Sequence, residues 1–212
     1  MKILTFHYQL NETPPEQYLI NLSPKEREVY ETFTNKSHQF QFAERHTQLH
    51  VALSDFLNTH KKVEIIQLEN GIWKAKDYPD LNITLSSSNN LYVIGLSYEQ
   101  IGVDIEFVKP ILEKDEMVNM FFHSKEIKEY GQAKEEDKLA YFYKIWTGKE
   151  AYIKAIGEKE LDEMYIPFQN LMATIENGFT FHWFTILEDY LLCILSKRII
   201  LNESELNIHW ES

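Results

Sequence analysis

The residues of this chain whose types and spacing could do chemistry are two acids on one short segment and a third on a later one. In Gly102-Val103-Asp104-Ile105-Glu106-Phe107 apolar and acidic residues alternate strictly. On a strand of period two, Asp104 and Glu106 stand side by side on one face, and Val103, Ile105 and Phe107 point the other way. Further on, Leu139, Phe142, Tyr143, Trp146 and Ile153 recur at helical spacing up to Gly157, with Glu150 inside that apolar stripe and Lys154 one turn later at its edge. A carboxylate on a face meant for burial is costly unless it is paired, hydrogen-bonded or metal-bound, which singles out Glu150. Three hard oxygen ligands, Asp104, Glu106 and Glu150, suit Mg²⁺ or Mn²⁺ rather than zinc. With Lys154 to neutralise phosphate charge, the set points to chemistry on a phosphoanhydride, where metal and lysine stabilise the transferring and leaving groups. The alternative at this level is a solvated strand face beside an ordinary Glu150–Lys154 helix ion pair.

The elements that must hold these residues follow from pattern and punctuation. Residues 1–10 read as a strand. Ser23-Pro24-Lys25-Glu26 is a helix start, with a hydroxyl cap, Pro at the first helical position and Glu three residues after the cap. That helix is expected to run to Thr34 and another from Gln39 to Asn58. Residues 63–68, 72–74 and 81–86 read as strands, with a loop at Tyr78-Pro79-Asp80 and a turn-forming segment over 86–90. Residues 91–97 and 101–108 are expected to pair as a hairpin across Tyr98-Glu99-Gln100. Helices follow over 112–122, briefly from Ser124, and, after a charged loop over 131–137, through Trp146 and Glu150. Residues 161–171 read as irregular, and 172–176, 179–187 and 190–196 as strands, with turns at Asn177-Gly178 and Glu188-Asp189. The rhythm predicts an α+β fold of two units, antiparallel strands with packed helices, over residues 1–98 and 99–212. His46, His50 and His60 share no helical face with an acid in a metal pattern, so no zinc is expected.

Composition narrows the function classes. At 212 residues and 25.2 kDa the chain can bury a sizeable core. A formal net charge of −12 disfavours nucleic acid as a partner. No apolar run is long enough to span a membrane, and the N-terminus reads as a strand rather than a leader. The single cysteine, Cys193, lies in an apolar run and reads as a buried structural thiol, which excludes a disulfide framework. These features fit a cytoplasmic protein.

Gly102-Val103-Asp104-Ile105-Glu106, followed by Phe121-Phe122-His123-Ser124-Lys125-Glu126 and Trp146-Thr147-Gly148-Lys149-Glu150-Ala151-Tyr152-Ile153-Lys154, resembles the 4′-phosphopantetheinyl transferase family in its monomeric surfactin-synthetase-activating form. The resemblance implies two similar halves related by a pseudo-twofold axis, with coenzyme A bound in the cleft between them. Asp104, Glu106 and Glu150 would hold Mg²⁺ on the pyrophosphate. Glu150 would help deprotonate the serine of an apo acyl or peptidyl carrier protein, and Lys154 would contact phosphate and stabilise the departing 3′,5′-adenosine bisphosphate. Glu126 matches its family element loosely and is read as structural.

Two departures stand out. Leu85 occupies the place of a histidine expected near a coenzyme A phosphate, and Gly71-Ile72-Trp73-Lys74 replaces a Gly-Lys-Pro. Ser86 and Lys74 are therefore candidate cofactor-binding residues in their stead, and Arg45 is a further candidate for reaching a phosphate. The same departures motivate a second reading, a non-catalytic descendant that binds or scaffolds carrier proteins. For docking an acidic carrier, Lys109, Lys125 and Lys128 are candidates, equally readable as solvated lysines.

Overall fold

The computed structural model describes residues 1–8, 16–68, 72–157, 178–197 and 207–208. The α+β class holds, in two regions of sheet and helix. The first comprises β1 (Lys2–His7), α1 (Glu16–Asn21), α2 (Pro24–Thr32), α3 (Lys36–Phe56), β2 (Ile65–Gln67), β3 (Trp73–Ala75), β4 (Tyr78–Ser88) and β5 (Leu91–Ser97). The second comprises β6 (Ile101–Phe107), α4 (Lys114–Phe121), α5 (Ser124–Gln132), α6 (Glu135–Ile156), β7 (Thr180–Ile186) and β8 (Tyr190–Ser196). A short β9 (Asn207–Ile208) returns to the first sheet, parallel to β1. The sheets run β2-β3-β4-β5-β1-β9 and β6-β8-β7.

Local chemistry explains the helix starts. Ser23 and Glu26 close a reciprocal capping box on α2, with Pro24 in its first turn. Asn35 caps α3 through Oδ1, so that helix starts ahead of the expected Gln39. His123 and Glu126 form the same kind of box on α5, which extends the expected short turn to a helix of 9 residues. The charged segment over 131–137 is only partly loop. Glu135, Glu136 and Asp137 form the first turn of α6, where negative charge meets the positive end of the helix dipole.

The strands depart from expectation in two places. β4 continues through Tyr78-Pro79-Asp80 and through Ser86–Ser88; Pro79 is tolerated because the β3–β4 register shifts there. The hairpin between β5 and β6 does not form. β5 is hydrogen-bonded along both edges, by β4 and β1, which leaves no edge for β6; β6 pairs with β8 instead. The irregular stretch and the strand expected over 161–176 lie outside the described residues.

Packing is layered. α3 covers one face of the first sheet through Leu49, Ala52 and Leu53 against Leu4, Phe6, Ile83 and Tyr92. The opposite face, through Ile3, Leu91 and Val93, meets Val103, Ile105, Leu192 and Ile194 of the second sheet. α4, α5 and α6 cover the outer face of that second sheet, with Cys193 buried among them. α6 lies directly on β6 at Gly102, where a Cβ would come within 1.8 Å of the Ala151 carbonyl oxygen. That contact sets how close Glu150 and Lys154 come to the β6 carboxylates. Among the described residues no helix is long and apolar enough to cross a membrane.

A buried cluster ties α2 to α3. His46 Nδ1 lies 2.7 Å from Glu26 Oε1 and His50 Nε2 lies 3.0 Å from Glu26 Oε2, so the two imidazoles and one acid do converge, across helices rather than on one. Burial of Glu26 opposes its ionisation, but hydrogen bonds from His46 and His50 outweigh it and hold its carboxyl well below the ordinary 4.5. Burial pushes His46 below its ordinary 6.5 despite Glu26. Below about pH 6.5 the unfolded chain takes up a proton that folded His46 resists, so stability falls. The Glu26 contribution is present above its unfolded value and is lost as pH falls toward its depressed folded one. Melting temperature is therefore expected to decline in two stages as pH is lowered from neutrality, with the lower stage diminished in Glu26→Gln. A flat profile in the unsubstituted protein would contradict this.

Candidate active site

A cleft of about 440 Å³ opens where β4 passes β6 and α6. Arg45, Trp73 and Ser86 line it from the first region, and Asp104, Glu106, Glu150 and Lys154 from the second. Alternation along β6 brings Asp104 and Glu106 to it, and the i,i+4 spacing on α6 brings Glu150 and Lys154. Asp104 is 3% exposed. Its Oδ1 accepts from Lys154 Nζ at 2.6 Å and from Ser86 Oγ at 2.8 Å, while its Oδ2 is buried with no hydrogen-bond partner. Glu106 Oε2 accepts from Ser88 Oγ at 2.7 Å. Glu150 is half-buried, 4.0 Å from Lys154 Nζ.

Burial raises all three carboxyl groups above their ordinary values. Lys154 opposes the shift at Asp104 and Glu150, and the charge of Asp104 adds to it at Glu106 and Glu150. Burial works against the Lys154 ammonium, but the charges of Asp104, Glu150 and Glu106 outweigh it and hold its pKa above the ordinary value. The three acids thus exceed the charge of the lysine among them, and Asp104 Oδ2 is an acceptor lacking a donor. A divalent cation would answer both, and the oxygen donors fit Mg²⁺, which binds through one or two carboxylates with phosphate and water rather than a complete protein cage. Among the described residues no three His, Cys, Asp or Glu side chains come together as a group that could hold a metal ion, so such an ion would depend on phosphate and water for the rest of its shell.

Of the other residues expected here, Arg45 and Ser86 line the cleft. Arg45 donates to Tyr8 Oη and Ser87 Oγ, both at 3.3 Å. Lys74 is turned toward the Pro79 carbonyl and Asn82 Oδ1, outside the lining. Leu85 borders the cleft, so that departure lies within the site itself. Sequence reasoning passed over Trp73, Trp146 and Ser88. The signal for Ser88 is the period-two run Thr84, Ser86, Ser88, whose last residue falls in the turn-forming segment over 86–90. Glu150 is also less buried than its place in the stripe suggested; the fully buried charge on α6 is its neighbour Lys149, 2.6 Å from Glu126. A second cleft of about 300 Å³ adjoins the first at Glu106 and Trp146 and reaches Phe107, Lys109 and Met117.

Residues 100–198 match the sequence model of the 4′-phosphopantetheinyl transferase superfamily. This segment is homologous to those transferases. It contains β6 and α6, and so all four acidic and basic residues at the centre of the cleft. Among curated proteins the chain is 35% identical to the 4′-phosphopantetheinyl transferase HetI of Nostoc sp. over 41% of its own length and 38% of that relative's. It is 31% identical to the transferase gsp of Aneurinibacillus migulanus, over 48% of the chain and 43% of the relative. With the transferase Sfp of Bacillus subtilis it shares 25% identity over 70% of the chain and 66% of the relative. The matches thus span under half the length of the first two transferases.

Proposed function

We propose that this chain is a Mg²⁺-dependent 4′-phosphopantetheinyl transferase, acting as a monomer. It moves the 4′-phosphopantetheine group of coenzyme A to a serine of an apo acyl or peptidyl carrier protein and releases 3′,5′-adenosine bisphosphate. The observation that carries this reading is that the transferase-homologous segment brings β6 and α6 to one cleft, where Lys154 pairs with Asp104 and lies beside Glu150, with Glu106 in the same lining.

In this reading Glu150 takes the proton of the carrier serine, directly or through a water. A carboxyl raised by burial and half open to the cleft suits a general base better than an ordinary one. The serine oxygen bonds to the β-phosphorus, and the bond from that phosphorus to the bridging oxygen breaks. The electron pair leaves on the α-phosphate of the adenosine bisphosphate. Lys154, held protonated by its acidic neighbours, stabilises that charge. Bound Mg²⁺, held by Asp104, Glu106 and Glu150, would supply electrophilic charge at the pyrophosphate. Arg45, steadied by Tyr8 and Ser87, is the proposed donor to a nucleotide phosphate; Ser86 and Lys74 are weaker candidates, Lys74 because it would have to turn from Asn82. Carrier docking is assigned to the face beside the second cleft, supported by Lys109 at its lining and by exposed Lys125, Lys128, Leu112 and Met120.

Intact-mass measurement of apo acyl and peptidyl carrier proteins, incubated with this protein, coenzyme A and Mg²⁺, tests the reading. One phosphopantetheine added to the carrier serine, lost when Mg²⁺ is withheld, is the expected result. Carriers that bind yet gain no mass would instead favour the non-catalytic reading that Leu85 in the cleft suggests.

A further inference from the structure

β4 and β6 are joined by side chains where a backbone ladder would be expected. β4 pairs with β5 as far as Ser88 but with β3 only as far as Ile83, and β6 belongs to the other sheet; the outer N–H groups of β6 find hydroxyls on β4 instead. Thr84 Oγ1 accepts from Val103 N at 3.2 Å, Ser86 Oγ from Ile105 N at 3.2 Å and Ser88 Oγ from Phe107 N at 3.0 Å. The period of two on each strand keeps the three bonds in register.

Ser86 and Ser88 do more than close this seam. Each sends its hydroxyl hydrogen to the carboxylate one residue before the N–H it accepts, Ser86 to Asp104 at 2.8 Å and Ser88 to Glu106 at 2.7 Å. Ser86 Oγ also accepts from Lys154 Nζ at 3.1 Å. A hydroxyl has one hydrogen and two lone pairs, so Ser86 is saturated and keeps no hydrogen for a phosphate. Its N–H and carboxylate partners belong to the same strand, and together they fix the direction of each bond. With Asp104 Oδ1 committed to Ser86 and Lys154, Oδ2 is the oxygen left without a protein donor.

We infer that Ser86 and Ser88 are positioning residues that aim Asp104 and Glu106 from across the seam between the two sheets, and so set the affinity of the cleft for a divalent cation. The inference rests on the metal-dependent reading above. It moves Ser86 from coenzyme A contact to support of the acidic pair, and it adds Ser88, a residue outside the transferase-matched segment.

Mn²⁺ binding in the absence of coenzyme A, followed by the loss of the free-ion paramagnetic resonance signal, reads this without transfer chemistry. Ser88→Ala is the primary variant because Ser88 is only partly buried; Ser86→Ala additionally strands the buried Ile105 N–H and is expected to lower the melting temperature. Removal of a group that orients a metal ligand typically weakens binding by about 10–100-fold. Ser88→Ala is thus expected to weaken Mn²⁺ binding by about 10-fold or more and to raise the Mg²⁺ KM more than it lowers kcat. Ser88→Thr, which keeps the hydroxyl, should recover both. A folded Ser88→Ala protein that binds Mn²⁺ as tightly as the unsubstituted chain would overturn the inference while leaving the transferase reading intact. Absence of Mn²⁺ binding by the unsubstituted chain both without and with coenzyme A would remove the metal-dependent reading and this role with it.

Discussion

Under the proposed transferase mechanism, Glu150→Gln is expected to slow phosphopantetheine transfer by about 10²–10⁴-fold, the range for loss of a positioned proton acceptor. The amide keeps the shape of the side chain and its reach into the cleft, so the change removes charge and basicity with little loss of packing. Glu150 is 32% exposed and lies at the outer limit of an ion pair with Lys154. Pairs of that kind contribute about 0–1 kcal/mol, and the melting temperature should stay close to that of the unsubstituted protein. Single-turnover transfer to an apo carrier, with carrier binding measured separately, isolates the chemical step. Full transfer by Glu150→Gln would sink the role given to this residue. A drop in carrier affinity with unchanged single-turnover rate would move Glu150 from chemistry to docking.

The sequence made the acidic site more legible than the frame around it, for physical reasons. Asp104, Glu106, Glu150 and Lys154 announce themselves because strand and helix periodicities are local, and two short segments were enough to put each pair on one face. Their convergence depends on something no period reports: Gly102, where the absent side chain lets α6 lie against β6. The hairpin expected between β5 and β6 failed for a related reason. Local turn chemistry favours pairing neighbours, but β1 had already taken the free edge of β5, a contact about 90 residues away in sequence. The end of the hydroxyl run on β4, past Ser86, reads as turn because serine and asparagine are turn formers in isolation. Here the hydroxyls replace a missing backbone partner, which only the seam between two sheets can require.

Lys149→Met should be among the most destabilising single changes on α6, even though it lies next to Glu150 and away from the cleft. Lys149 has no exposed side-chain surface, and its ammonium lies 2.6 Å from Glu126 Oε2 and over the ring of Phe122. The same Glu126 oxygen accepts the His123 backbone N–H at 2.9 Å, closing the box at the start of α5. The pair therefore binds the interior of α6 to the first turn of α5, and burial lowers the Lys149 pKa against the pull of Glu126. Methionine fills similar space but leaves the Glu126 carboxylate, 3% exposed, without that cation. Breaking a buried ion pair from one side costs about 3–5 kcal/mol. For a domain of this size each kcal/mol is worth about 2–4 °C, so a fall in melting temperature of roughly 6–20 °C is expected. Adding Glu126→Gln to Lys149→Met removes the stranded charge while keeping an acceptor for His123, and should recover a large part of the loss. A Lys149→Met protein that melts within a degree or two of the unsubstituted chain would mean that the pair does not hold α5 to α6. Failure of the double variant to recover stability would instead locate the cost in lost packing rather than in the uncompensated carboxylate.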